Sequence, residues 1–149
     1  MTGAGNNHDR RRPWHLWLVA ITVLALYVGG ARDYLLILIR DTDYILGQFG
    51  EGGLKYFADY PLVTRLIWTV NILAGLLSPF LLLMRSRRAV PVAALAAAAQ
   101  VVLLAATFTF LDRWAALGAA IAWFDIGIAV LTLLFAVYTW WLRRRGFLG

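Results

Sequence analysis

The sequence predicts an all-α membrane protein: an antiparallel bundle of four transmembrane helices, with both termini cytoplasmic and one periplasmic interfacial loop. Three observations carry that reading. Apolar residues make up 62% of the chain and charged residues only 15%, whereas soluble domains hold roughly half apolar and a quarter charged residues. The apolar residues gather into four runs, each long enough to cross a hydrocarbon core of about 30 Å at about 1.5 Å per residue. Arginines cluster at alternate ends of those runs. Continuous runs rich in Leu and Ala exclude a membrane β-barrel, whose strands of about ten residues alternate polar and apolar side chains.

A basic tail, residues 1–13, precedes a single membrane domain over 14–142. The first helix is expected over 14–39. Arg10, Arg11 and Arg12 before it, and Gly29, Gly30 and Ala31 within it, give it the outline of a cleaved signal. Apolar residues resume from Tyr34 to Ile39, so the segment is too long for a signal and reads as a retained anchor. The loop over 40–61 is amphipathic. Its glycines at 50, 52 and 53 separate Tyr44, Ile45, Leu46 and Phe49 from Leu54, Tyr56, Phe57 and Tyr60. The three later aromatics suit a short interfacial helix, either anchoring at the headgroups or capping the bundle. The second helix is expected over 62–84, kinked by Pro79, and the third over 89–111, with Pro91 in its first turn. The fourth is expected over 114–142, followed by a basic tail over 143–149. Connections as short as 85–88 and 112–113 force antiparallel neighbours.

Orientation follows from the bases. Arg10, Arg11, Arg12, Arg85, Arg87, Arg88, Arg143, Arg144 and Arg145 fall on one side; Arg32, Arg40, Lys55, Arg65 and Arg113 fall on the other, together with six of the eight acids. The richer side is expected to be cytoplasmic, which places both termini there. These arginines serve as topology determinants and contacts for anionic lipid, and no continuous basic face points to nucleic acid.

Few polar residues lie at depth. Asp125, about 16 Å into a fourth helix counted from Trp114, falls near the bilayer centre, where an ionised carboxylate costs about 2.5–3.5 kcal/mol. It shares a face with Gly118, Ala122 and Ala129, small residues that admit a neighbouring helix closely. Asn71 lies at the same level on a face with Thr64, Trp68, Gly75 and Ser78. Gln100 does so on a face with Ala93, Ala96 and Thr107. Two readings of Asp125, Asn71 and Gln100 stand: interhelical hydrogen bonding that fixes register, or a buried binding site in which Asp125 takes up and releases a proton. Nearer the outer surface gather Arg32 and Asp33 on the first helix, Arg65 on the second, and Asp112 and Arg113 between the third and fourth; Arg65, four residues past Pro61, also suits snorkelling outward. An Asp33–Arg65 ion pair would join the first two helices and close a pocket from outside.

No catalytic set can be assembled. Serine occurs at Ser78 and Ser86, histidine at His8 and His15, glutamate at Glu51, and cysteine nowhere. Triads, thiolate chemistry, metal-ligand spacings and phosphate loops are therefore missing, and neither a metal nor a cofactor is expected.

Short motifs add a resemblance. Arg32-Asp33-Tyr34 closes the first helix, Tyr56-Phe57-Ala58-Asp59-Tyr60-Pro61 opens the second, Arg88-Ala89-Val90-Pro91-Val92 opens the third, and Arg143 to Arg145 precede Gly146. From about Trp14 onward, the chain resembles an uncharacterised group of small bacterial four-helix inner-membrane proteins, some of which carry the label sugar transporter. The resemblance implies the fold and location, and no site residue. Where those proteins favour a helix-starting stretch before the Tyr-Phe pair, this chain has Gly50, Glu51, Gly52 and Gly53. The expectation is a non-enzymatic accessory or structural membrane protein, embedded in lipid and associating with itself or a larger complex. The alternative is a small transporter or carrier subunit, with Asp125 coupling a proton or cation and Asn71 and Gln100 holding a small polar substrate.

Overall fold

A computed structural model describes residues 13–149, and no strand occurs among them. Four helices are long and apolar enough to span a membrane: α1 (Trp14–Leu38), α3 (Leu62–Leu83), α4 (Ala89–Phe110) and α6 (Ala119–Arg144). Two others, α2 (Thr42–Ala58) and α5 (Arg113–Leu117), sit together at one end of the bundle, here the loop end. Only 22–39% of the most apolar stretch of each long helix is buried. Leu18, Ile21, Leu66, Leu73, Leu134 and Val137 instead point outward. In water such faces would drive aggregation; in acyl chains they are solvated.

The long helices alternate in direction and pack in chain order, α1 on α3, α3 on α4, α4 on α6. The ring closes poorly, because α6 scarcely touches α1. The tightest seam is α3–α4, and both helices carry small buried residues, Ala74, Gly75 and Ser78 on one and Ala89, Ala93, Ala96 and Ala97 on the other. Small side chains let the backbones approach and gain dispersion contacts where no hydrophobic drive acts between helices in lipid. Pro79 lies inside α3, which runs through it unbroken. The proline has no N–H for the carbonyl of Gly75, and Ser78 Oγ donates to that carbonyl instead at 3.3 Å.

The first three long helices end within a residue of their expected limits. Arg40 and Arg85, past the ends of α1 and α3, take left-handed backbone with φ of 58° and 57°. Their N–H groups and those of Asp41 and Ser86 turn back to satisfy the last helical carbonyls. The fourth span departs from expectation. It begins at Ala119, since Gly118, with φ 86° and ψ 165°, breaks the expected helix and sets α5 apart. The loop also departs from it. Most of 40–61 is helical, capped by the Asp41 carboxylate on the Tyr44 N–H at 2.9 Å and bent at Gly50, with φ 68°. Phe57 and Tyr60 are each 5% exposed, buried with Ile37, Ile45 and Leu117. They cover the bundle end, the capping arrangement among the two expected for this loop.

At the opposite end, the expected basic tail over 143–149 is partly helix, since α6 runs through Arg144. The rest folds back. Gly149 donates to the Arg85 carbonyl at 2.9 Å, Arg85 Nε donates to the Phe147 carbonyl at 3.1 Å, and Leu148 is buried. Arg144 lies over Trp140 and Arg145 over Trp141, 4.4 and 4.7 Å from the ring centroids. The expected tail arginines 10–12, and His8, lie outside the described residues.

Candidate binding site

A cleft of about 300 Å³ occupies the half of the bundle nearest α2 and α5. Asp33, Asn71, Gln100 and Asp125, from all four long helices, line it, together with Tyr27 and Thr132. The three residues expected to gather at depth are thus brought together. Its mouth lies in the weakly closed α1–α6 seam, where the lining residues Gly29, Phe124 and Leu131 are exposed. Apolar walls come from Val23, Ile72, Leu103 and Ile128.

Tyr27 is the hub of the floor. A Cβ on Gly75 would collide with its ring, so a glycine is required where α1 meets α3. The Tyr27 hydroxyl lies 3.2 Å from Thr132 Oγ1 and accepts from Asn71 Nδ2 at 3.3 Å. Asn71 Nδ2 also donates to the Ala96 carbonyl at 2.9 Å, which ties α3 to α4. Asn71 therefore performs the register-fixing role expected of it, and its Oδ1 accepts no hydrogen bond among the described residues.

Gln100 differs. It is 9% exposed, yet its carboxamide makes no hydrogen bond among the described residues, and it borders both this cleft and a smaller one beside Arg113. Among the described residues the only fully buried side-chain polar atom without a partner is Tyr56 Oη, so the Gln100 carboxamide keeps accessible surface and opens into the cleft. Gln100 consequently adds nothing to helix–helix cohesion through its polar group.

Asp125 is ion-paired. Arg113 Nε donates to Oδ2 at 2.5 Å and Nη2 to Oδ1 at 3.4 Å, with side-chain exposures of 12% and 19% for Arg113 and Asp125. This is the only ion pair among the described residues. Burial works against the charge of Arg113, but hydrogen bonding and attraction from Asp125 outweigh it and raise its pKa. In an unbroken helix the two residues would stand about 18 Å apart; the break at Gly118 lets α5 fold back and deliver the guanidinium. The same break corrects the depth of Asp125, which lies about 9 Å from the start of α6, nearer the loop end than Asn71 or Gln100.

The expected Asp33–Arg65 ion pair does not form. The first turn of α2 brings the Tyr44 hydroxyl to Asp33 Oδ1, to which it donates at 2.6 Å. The link between α1 and α3 is made one residue on, where Tyr34 Oη lies 2.7 Å from Thr69 Oγ1. Arg65 borders a narrow crevice with Tyr34, Phe57 and Tyr60. Arg32 is exposed, its guanidinium 5.6 Å from the Tyr44 ring centre. Tyr44 is pushed up to about 12 by burial, then by the hydrogen bond and charge of Asp33. Asp33 takes part in no ion pair among the described residues, so the cleft retains one carboxylate without a cation.

Sequence reasoning missed Tyr27 and Thr132, and it placed Arg113 in the outer charged set without its contact to Asp125. A tyrosine within an apolar helix was a usable signal for the first. The Arg113 contact depends on a backbone break that a lone glycine does not announce. No group of three or more potential metal ligands occurs among the described residues. Compared with known proteins, the chain matches no family model, no curated sequence and no solved structure.

Proposed function

We propose that this integral membrane protein is a non-enzymatic accessory or carrier subunit that holds a small molecule in the cleft between its helices. One observation carries the reading: Gln100, a largely buried residue whose carboxamide makes no hydrogen bond among the described residues, opens into a cleft of about 300 Å³. A residue retained for packing would be hydrogen-bonded or apolar; one retained for a ligand is left open. Asp125 serves here as a structural anchor, because Arg113 already occupies it. Coupling by a proton on Asp125 would first require that buried pair to open. Location in a bacterial inner membrane with both termini cytoplasmic is supported by the arginine distribution and by the resemblance of the short motifs.

Single-cysteine chemistry tests both parts, since the chain has no cysteine of its own. Thiolate-selective reagents react only where water admits the ionised thiol. In reconstituted vesicles, Ile128→Cys, on the cleft wall, is expected to react at least tenfold faster than Val130→Cys, an exposed position outside the cleft. Equal rates would remove the binding reading. Gln100→Leu is expected to leave ligand-free stability within about 0.5 kcal/mol; a larger loss of stability would return Gln100 to a packing role. In intact cells, an impermeant thiol reagent should reach Gly50→Cys, and failure there with success at Arg87→Cys reverses the orientation.

A further inference from the structure

The geometry points to a hydrophobic monocation as the ligand: an apolar body with one positive head, entering from the bilayer through the α1–α6 mouth and placing its charge beside Asp33. The inference rests on the binding reading above and adds chemical class and route. The argument for class is charge. Two carboxylates line the cleft, and one, Asp125, is neutralised by Arg113. The nearest cation in sequence, Arg32, has its guanidinium against the Tyr44 ring, outside the cleft lining. Asp33 has a hydroxyl donor from Tyr44 but no cation among the described residues. An excess negative charge in a low-dielectric cleft favours a cation and disfavours an anion. Trp68 and Phe124, also on the wall, are aromatic residues of the kind that attract such a head. The acceptor oxygens of Asn71 and Gln100 remain open deeper in the cleft.

The argument for route is the seam itself. The loop end is covered by α2 and α5, whose Phe57, Tyr60 and Leu117 are buried. The mouth between α1 and α6 is lined by Gly29, whose α-carbon has open space around it, and by exposed Phe124 and Leu131. These residues face the apolar band, so an approaching ligand must be soluble in acyl chains.

Protection of Ile128→Cys reads the outcome in phosphatidylcholine vesicles, which carry no net surface charge. Decyltrimethylammonium, decanol and decyl sulfate are compared at equal bilayer concentration. The cation is expected to slow labelling at least tenfold, and the alcohol and sulfate to have little effect. Asp33→Asn keeps an acceptor for the Tyr44 hydroxyl while removing the charge, and should raise the half-protecting cation concentration about tenfold. Gly29→Phe, which fills the mouth, should abolish protection while a circular-dichroism spectrum reports an unchanged fold. Equal protection by cation and alcohol, or an unchanged response in Asp33→Asn, overturns the class while leaving a binding cleft. Rapid labelling of Ile128→Cys with no protection by any of the three probes overturns the inference as a whole. Slow labelling without a probe overturns the underlying binding reading instead.

Discussion

Two seams of one bundle handle polar groups in opposite ways. Between α3 and α4, Asn71 donates to the Ala96 carbonyl, Thr107 turns back on the Leu103 and Leu104 carbonyls of its own helix, and buried alanines line the α4 side. Between α1 and α6 the helices stand apart, and the cleft behind them keeps an unpaired carboxylate at Asp33 and an unengaged amide at Gln100. Polar residues in lipid are therefore not one class. Those bonded to a neighbouring backbone hold helices together; those left open in a cavity are available to something else.

The comparison can be broken first at the edge of the open seam. Arg113→Met leaves Asp125 as a buried charge without its partner and is expected to destabilise the fold by about 3 kcal/mol, measured by unfolding in mixed micelles. The double variant Arg113→Met with Asp125→Leu should recover most of that loss. If it does not, the pair contributes more than mutual neutralisation. A smaller effect is expected where α1 meets the closed seam. Gly75→Ala sets a methyl against the Tyr27 ring, with a loss of about 1–3 kcal/mol; Tyr27→Phe should not rescue it, because the collision is with the ring and not the hydroxyl.

The smallest effect sharpens the contrast by pH. Tyr44, raised from 10.0 to about 12, gives its contribution in full below pH 10, and that contribution fades as pH climbs through about 12. Ionised Tyr44 would face Asp33 as a like charge and lose its donor proton. Over that interval α2 should loosen from α1, seen as faster amide exchange in α2 alongside tyrosinate absorbance. The α3–α4 seam, joined by the Asn71 carboxamide, which does not titrate there, should hold its protection.

Most of this architecture was legible in the residues. Apolar run length and the positions of Pro61, Pro91 and the arginine clusters place three of the four spans to within a residue. Face counting also brought Asn71, Gln100 and Asp125 to one cavity, because three- and four-residue steps fix which side chains share a side of a helix. What stayed hidden depends on backbone states that composition does not reveal. Gly118 could have continued a helix as a small face residue, and instead takes a left-handed φ that redirects Arg113. Arg40 and Arg85 occupy left-handed positions where glycine is usual, so the turns they make carry no sequence mark. Asp33 met Tyr44 instead of Arg65 because the first turn of α2 brings that hydroxyl across the bundle end.

The sideways mouth sets the concentration scale on which any occupant is judged. Each methylene adds about 0.8 kcal/mol of transfer into acyl chains, and about 1.4 kcal/mol is tenfold. Five methylenes thus enrich a compound in the bilayer roughly several-hundred-fold before it meets the protein. Weak intrinsic contacts at Asp33 and Gln100 would then suffice for occupancy at dilute aqueous levels. Selectivity would be shared between protein and membrane, with partitioning deciding which compounds arrive and the lone carboxylate deciding which of them stay.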